Sequence, residues 1–247
     1  MFKIVNLKHF ITLFSVLLIA IIVFGICHIG GTVVSTNSDQ TDIQPTVYLT
    51  FDDGPSAVTD DLLDTLATEQ IKATFFVIGS TTEHGIGLYN RIIDDGHALG
   101  LHTFSHNTPY IYESPEVFMQ DFNKLSDWIF DNTNTSPNIF RFPGGSHTIE
   151  CSDKVMKDIK ESILDEGYRI YDWDIPANDS SNFTLSAKDI YENVVRLAEK
   201  KNGQDLVILF HDDALRTTLP TAISDIINYF KSEGYNFGVL DENTVLK

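Results

Sequence analysis

From Thr46 onward the sequence repeats one alternation: a short run of β-branched and aromatic residues, then a longer stretch of helical character. The runs that read as strands are Thr46–Phe51, Ala73–Gly79, His97–His102, Ile139–Pro143, Arg169–Trp173, Asp205–His211 and Phe237–Leu240. Between them, helices are predicted near Thr59–Glu69, Leu88–Asp95, Pro115–Asn132, Ser152–Glu166, Ala187–Lys200 and Leu219–Glu233. Parallel strands cannot be joined by a tight turn and need a crossover, which a helix supplies, so this order implies a parallel sheet in an α/β fold. About seven such units in about 200 residues fit one (β/α) barrel, closed or nearly so. An open doubly wound sheet is the alternative. The helix ends carry their own signals. Ser114 before Pro115-Glu116 offers an N-cap, a proline at the first helical position and an early acid. Ser186 with Asp189 resembles a capping box, and Gly96, Gly167 and Gly234 stand where helices end.

A barrel of this kind gathers its active site at the C-terminal ends of the strands. The polar residues at those ends are Asp52-Asp53, His102, Arg141, Asp172 to Asp174 and His211. The formal net charge of −18, from 35 acidic against 17 basic residues, repels phosphate backbones and argues against a nucleic acid partner. Two cysteines, Cys27 and Cys151, are badly placed to pair and too few to build a thiolate metal site.

Before the alternation begins, Phe10 to Cys27 carries no charge, and Lys3 and Lys8 precede it. This run of about 18 residues, its apolar character interrupted only by Thr12, Ser15 and Gly25, is close to the minimum for a membrane-spanning helix. The positive flank places the short N-terminal side in the cytoplasm. The expected organisation is a cytoplasmic segment at 1–9, a transmembrane anchor at 10–29, a flexible linker at 30–45 and one extracytoplasmic domain at 46–247. Cleavage as a signal peptide, giving a secreted protein, is the alternative. Phe24-Gly25-Ile26-Cys27 lacks the small-residue pattern of a cleavage site.

Four motifs carry the chemistry. In Thr50-Phe51-Asp52-Asp53-Gly54-Pro55, two adjacent carboxylates need a cation or a shared proton, unless they are simply an acidic turn. In His102-Thr-Phe-Ser-His106, two imidazoles four residues apart can grip one metal ion, or be unrelated polar residues. With Asp53 they would make a two-histidine, one-carboxylate site with open positions, the arrangement of a catalytic metal. In Phe140-Arg141-Phe142-Pro143-Gly144-Gly145 a buried arginine needs an acidic partner, for which Asp52 is the natural candidate. In Val207-Ile208-Leu209-Phe210-His211 a histidine closes an apolar strand, suited to proton transfer or to a core hydrogen bond. Other candidates read as structural: His97 as a packed histidine, Trp128 as helix core and His84 as solvated. His147 has a weaker claim to touch substrate, and Asp172 and Asp174 are either structural or groove-facing.

Taken in this order, T-F-D-D-G-P, H-T-F-S-H, R-F-P-G-G and L-F-H resemble the polysaccharide deacetylase family, the NodB-homology domain of carbohydrate esterase family 4. The resemblance runs from about Thr46 to Leu240. It implies a distorted (β/α) barrel of about seven units, with Asp52 as the general base, Asp53, His102 and His106 holding a divalent metal, and Arg141 orienting Asp52. His211 would be the general acid, Leu209 would line the pocket for the acetyl methyl, and the Gly144 N–H would help bind the oxyanion. Asp179 would tune His211 through Arg141. The family often carries Tyr where Gly144 stands and an aromatic residue where Ser180 follows Asp179. The metal expected is zinc, with cobalt, nickel or manganese as alternatives. The substrate expected is an N-acetylated cell-wall polysaccharide, most naturally peptidoglycan. The alternatives are an O-acetyl polysaccharide esterase and a non-catalytic carbohydrate-binding module. No protein partner is expected.

Overall fold

The computed structural model describes residues 44–179, 185–201 and 203–246. The segment 1–9, the apolar run at 10–29 with Cys27, the linker up to residue 43, and Ser180 lie outside them. Among the described residues no helix is long and apolar enough to cross a membrane.

Eight strands and seven helices follow one another: β1 (Thr46–Asp52), α1 (Thr59–Glu69), β2 (Thr74–Ile78), α2 (Glu83–Asp94), β3 (Ala98–Thr103), a single turn α3 (Thr108–Ile111), α4 (Pro115–Thr133), β4 (Ile139–Phe140), α5 (Asp153–Asp165), β5 (Arg169–Ile170), β6 (Ile175–Pro176), α6 (Ala187–Ala198), β7 (Leu206–His211), α7 (Leu219–Ser232) and β8 (Asn236–Gly238). All pairings are parallel, in the spatial order β5-β4-β3-β2-β1-β7-β6, with β8 added beside the start of β1. The expected α/β architecture of about seven parallel units is therefore present. The closed ring is not. No ladder joins β5 to β6, because the chain passes from one to the other in the short stretch 171–174, too short to add a crossover unit. The sheet is a half-barrel, open on that side.

The period of two along each strand sorts the side chains. In β1, Val47, Leu49 and Phe51 face the helices and join the main core, and Tyr48 joins a second cluster inside the curl of the sheet with Phe76, Ile139, Tyr171, Val207 and Leu240. Leu206, Ile208 and Phe210 of β7 pack outward in the same way. Phe51 stacks on Phe75 at 5.0 Å and on Phe210 at 5.4 Å, its register partners in β2 and β7. Each fully buried Phe contributes roughly 1.5–3 kcal/mol by area, so this triplet fastens three strands immediately beneath their C-terminal ends. The intervening residues Asp52, Arg141, Leu209 and His211 are thereby turned toward the concave face.

The local signals at the helix ends are realised. The Ser114 hydroxyl accepts the Val117 N–H, and Ser186 forms a full capping box with Asp189. Gly96, Gly167 and Gly234 adopt φ of 79°, 88° and 78°. Helix α2 starts earlier than predicted, at Glu83, where the Thr82 hydroxyl caps the Gly85 N–H.

Candidate active site

Register brings the central pair together. In the β1–β7 ladder Asp52 lies opposite His211, and Thr50 lies opposite Leu209. Neighbouring strands are about 4.8 Å apart, so a carboxylate and an imidazole are set side by side at the mouth of the sheet. Asp52 is 3% exposed. Burial pushes its pKa above the usual carboxylate range, opposed by the positive charge of Arg141 and then of His211.

Arg141 is fully buried and spends its guanidinium on four acceptors. Nη1 donates to Asp52 Oδ1 at 2.9 Å and to Thr50 Oγ1 at 2.7 Å, Nε to the Tyr171 carbonyl at 3.1 Å, and Nη2 to the Asp172 carbonyl at 3.1 Å. Its flat face lies 4.2 Å from the centre of the Phe76 ring. Such a set fixes Asp52 in one orientation. Removing the arginine would leave a buried carboxylate unpaired, at a cost of about 3–5 kcal/mol.

Asp179 acts elsewhere than the sequence implied. It touches His211 directly. Oδ2 accepts the His211 backbone N–H at 2.8 Å, and Oδ1 accepts from Nδ1 at 2.8 Å. The reason is the β6–β7 pairing, which places the residues after Pro176 beside the end of β7, whereas Arg141 extends β4 across the sheet. Burial alone would depress the His211 pKa. The hydrogen bond and charge of Asp179, aided by Asp52 and Asp53, outweigh it and raise the pKa above the ordinary histidine value. With Nδ1 tied to Asp179, Nε2 is the nitrogen left for the cleft.

The third group is Asp53, His102 and His106, whose ligand atoms lie within 4.8 Å of one another. His102 Nδ1 donates to the Arg141 carbonyl at 2.6 Å, and since a carbonyl only accepts, Nε2 presents its lone pair. Burial keeps this imidazole neutral, with a pKa lowered to about 3. Asp53 Oδ1 lies 3.1 Å from His106 Nε2 and 3.6 Å from His102 Nε2, is buried, and makes no hydrogen bond to either. A buried carboxylate oxygen without a hydrogen bond, facing an imidazole lone pair, is costly unless a cation stands between them. Two nitrogens and one oxygen in this arrangement fit a divalent metal with open coordination positions.

These groups line a cleft of about 440 Å³ that holds Asp52, Asp53, His102, His106, Gly144, Leu209 and His211. Arg141 and Asp179 stand behind it as supports. Gly144 has φ of 77°, and a Cβ there would come within 2.8 Å of Thr148 Oγ1, so this turn is shaped for glycine. Trp173, Pro176, Asn178, Asp213 and Arg216 also line the cleft. Trp173 was visible in the sequence as an aromatic between two acids. Asn178, Asp213 and Arg216 had no spacing signal and are delivered by loop geometry alone. Asp172 takes the backbone N–H and the hydroxyl of Ser146, and Asp174 accepts the Val207 N–H, so both are structural. His147 is exposed and outside the cleft lining. His97 accepts the Ala73 N–H and packs edge-on against Phe75.

A family model described as "Polysaccharide deacetylase" matches residues 39–162. The putative polysaccharide deacetylase YheN of Bacillus subtilis is 33% identical over 204 residues, which is 81% of this chain and 68% of that protein. The chain belongs to the polysaccharide deacetylase family. Among other relatives, the peptidoglycan-N-acetylglucosamine deacetylase PgdA of Listeria monocytogenes is 33% identical over 79% of this chain but only 38% of its own length. In structure, the deacetylase chain is similar to the catalytic domain of the peptidoglycan N-acetylglucosamine deacetylase from Eubacterium rectale. The TM-score is 0.76 and the identity 29%, covering 83% of this chain and 92% of that one. It also resembles a carbohydrate esterase family 4 esterase of Streptococcus mutans, with a TM-score of 0.73, 27% identity, and coverage of 81% and 87%.

Proposed function

We propose that this deacetylase hydrolyses the N-acetyl groups of peptidoglycan amino sugars, with zinc as its metal and Asp52 and His211 as its proton carriers. The observation that carries the reading is the β1–β7 register, which sets a buried carboxylate beside an imidazole directly next to the Asp53, His102, His106 group. Asp53, His102 and His106 would hold a divalent metal, which would supply Lewis acidity for an acetamide carbonyl and for a water. Asp52, oriented by Arg141, takes the proton of the attacking water. The Gly144 turn offers a backbone N–H toward the developing oxyanion, and Leu209 gives the acetyl methyl an apolar wall. His211 gives its Nε2 proton to the departing nitrogen as the carbon–nitrogen bond breaks, and Asp179 stabilises the imidazolium on the other side. Acetate and a free amine leave. A pure binding module would have no use for a proton acceptor, a proton donor and a ligand triad together.

The uncharged run at 10–29, preceded by Lys3 and Lys8, supports an extracytoplasmic domain held at the cell membrane, with secretion after cleavage as the alternative. A wall polymer would then be within reach. Hydrolysis of O-acetyl groups is the second reading, favoured by the likeness to the S. mutans esterase and to the Xyl-CE4 domain of a multidomain xylanase. The full chain should release acetate from N-acetylglucosamine oligomers and from peptidoglycan faster than from O-acetylated xylan. The reverse order would overturn the amide assignment.

A further inference from the structure

Five non-glycine residues among those described have positive φ. Gln70 and Asn134 end helices α1 and α4, where a left-handed residue is ordinary. The other three are Asp53 at 73°, His106 at 48° and Asn178 at 59°, and all three line the catalytic cleft. Left-handed backbone is unfavourable for residues with a side chain, and it persists only where the surroundings impose it. Two of the three residues assigned to the metal therefore sit on backbone that must be held from outside the site.

Two buried carboxylates that take no part in the chemistry supply the hold. Asp121 reaches from α4 into the loop between the two histidines. Its Oδ1 accepts the Phe104 N–H at 2.7 Å and the Ser105 N–H at 3.0 Å, the two peptide groups immediately before His106. Asp212, fully buried after His211, grips both sides of Asp53. Its own N–H donates to the Asp52 carbonyl at 2.7 Å. Its Oδ1 accepts from Ser56 Oγ at 2.8 Å and its Oδ2 from Thr59 Oγ1 at 2.6 Å, on the far side of the Gly54-Pro55 turn. The carboxylate lies so close to Gly54 that a Cβ there would fall 2.3 Å from Oδ2.

We propose that Asp121 and Asp212 are positioning residues that lock the two ligand-bearing loops, presenting His106 and Asp53 to the metal in strained conformations that the loops would otherwise relax. The proposal rests on the assignment of Asp53, His102 and His106 as metal ligands. Without either clamp, metal binding has to drive its own ligands back into place, and affinity falls.

The test is the zinc dissociation constant of the full chain, measured by competition with a chromophoric chelator, alongside Tm. Asp121→Ala and Asp212→Ala should each weaken zinc binding about 10-fold or more, the range in which outer supports of metal ligands act. Asp121→Asn keeps the Oδ1 acceptor and should restore affinity close to wild type. Ser126→Ala removes the 3.0 Å bond from α4 to Tyr168 and should leave zinc affinity unchanged, whatever it does to Tm. If an alanine variant does not fold, serine at the same position, too short to reach either loop, takes its place. Alanine or serine variants that bind zinc with the wild-type constant while only Tm falls would overturn the proposal. So would an asparagine variant as weak as alanine. A wild-type chain that binds no zinc would overturn the metal assignment itself, and this proposal with it.

Discussion

At the scale of single residues, the site works by assigning similar groups to different environments. Asp52 and Asp53 are adjacent in sequence, yet Asp52 is locked onto Arg141 while Asp53 faces two imidazoles. Divergent surroundings are how two carboxylates acquire two roles. The same logic governs His211. Its folded pKa is raised above the unfolded value by Asp179, so the pair contributes stability that is fully present below the ordinary histidine pKa and is lost as pH rises through the folded value. The proposed role of His211 as general acid requires it protonated, so the alkaline limb of kcat/KM should follow that raised pKa. Asp179→Asn removes the charge and keeps a hydrogen-bond acceptor. The alkaline limb of its pH profile should move to lower pH. An unmoved limb would separate Asp179 from the proton donor. The direct contact between Asp179 and His211 was not legible in the sequence, because 32 residues separate them and only the β6–β7 pairing joins them.

At the scale of elements, the strands bearing the site are fixed by their apolar alternation and the helices by their caps. Ser186 and Asp189 exchange hydrogen bonds at the start of α6, and neither lines the cleft. Ser186→Ala should therefore cost about 1 kcal/mol. For a domain of this size that is a drop in Tm of roughly 2–4 °C, read by thermal unfolding, with kcat/KM unchanged. The long elements were readable because their periodicity and end signals agree, as at Pro115 and Gly234. The short ones were not. Residues 139–143 and 169–173 read as full strands but pair over only two residues each, because the sheet frays toward its open side. Strand β6 is two residues long and leaves no periodic trace. Asp121 carries no sequence signal for a related reason: a buried acid on an amphipathic helix looks like any solvated one until the loop it holds is folded beside it.

At the scale of the whole molecule, the half-barrel is an arrangement for bringing distant strand ends to one cleft. Asp52 comes from β1, His211 from β7, His102 and His106 from β3 and the turn after it, and Arg141 from the end of β4. The half-barrel leaves the β5–β6 side unladdered, where Trp173 and the Gly144 turn form the cleft wall. In the proposed reaction this cleft removes acetyl groups with Asp52 as the proton acceptor and a divalent metal on Asp53, His102 and His106. The most direct measurement is acetate release from N-acetylglucosamine oligomers by the full chain with zinc, compared with the same chain after chelation and with Asp52→Asn. The wild type should release acetate steadily, with losses of about 100-fold or more on chelation and in Asp52→Asn. A wild-type rate in the asparagine variant, or one untouched by chelation, would contradict the proposed reaction.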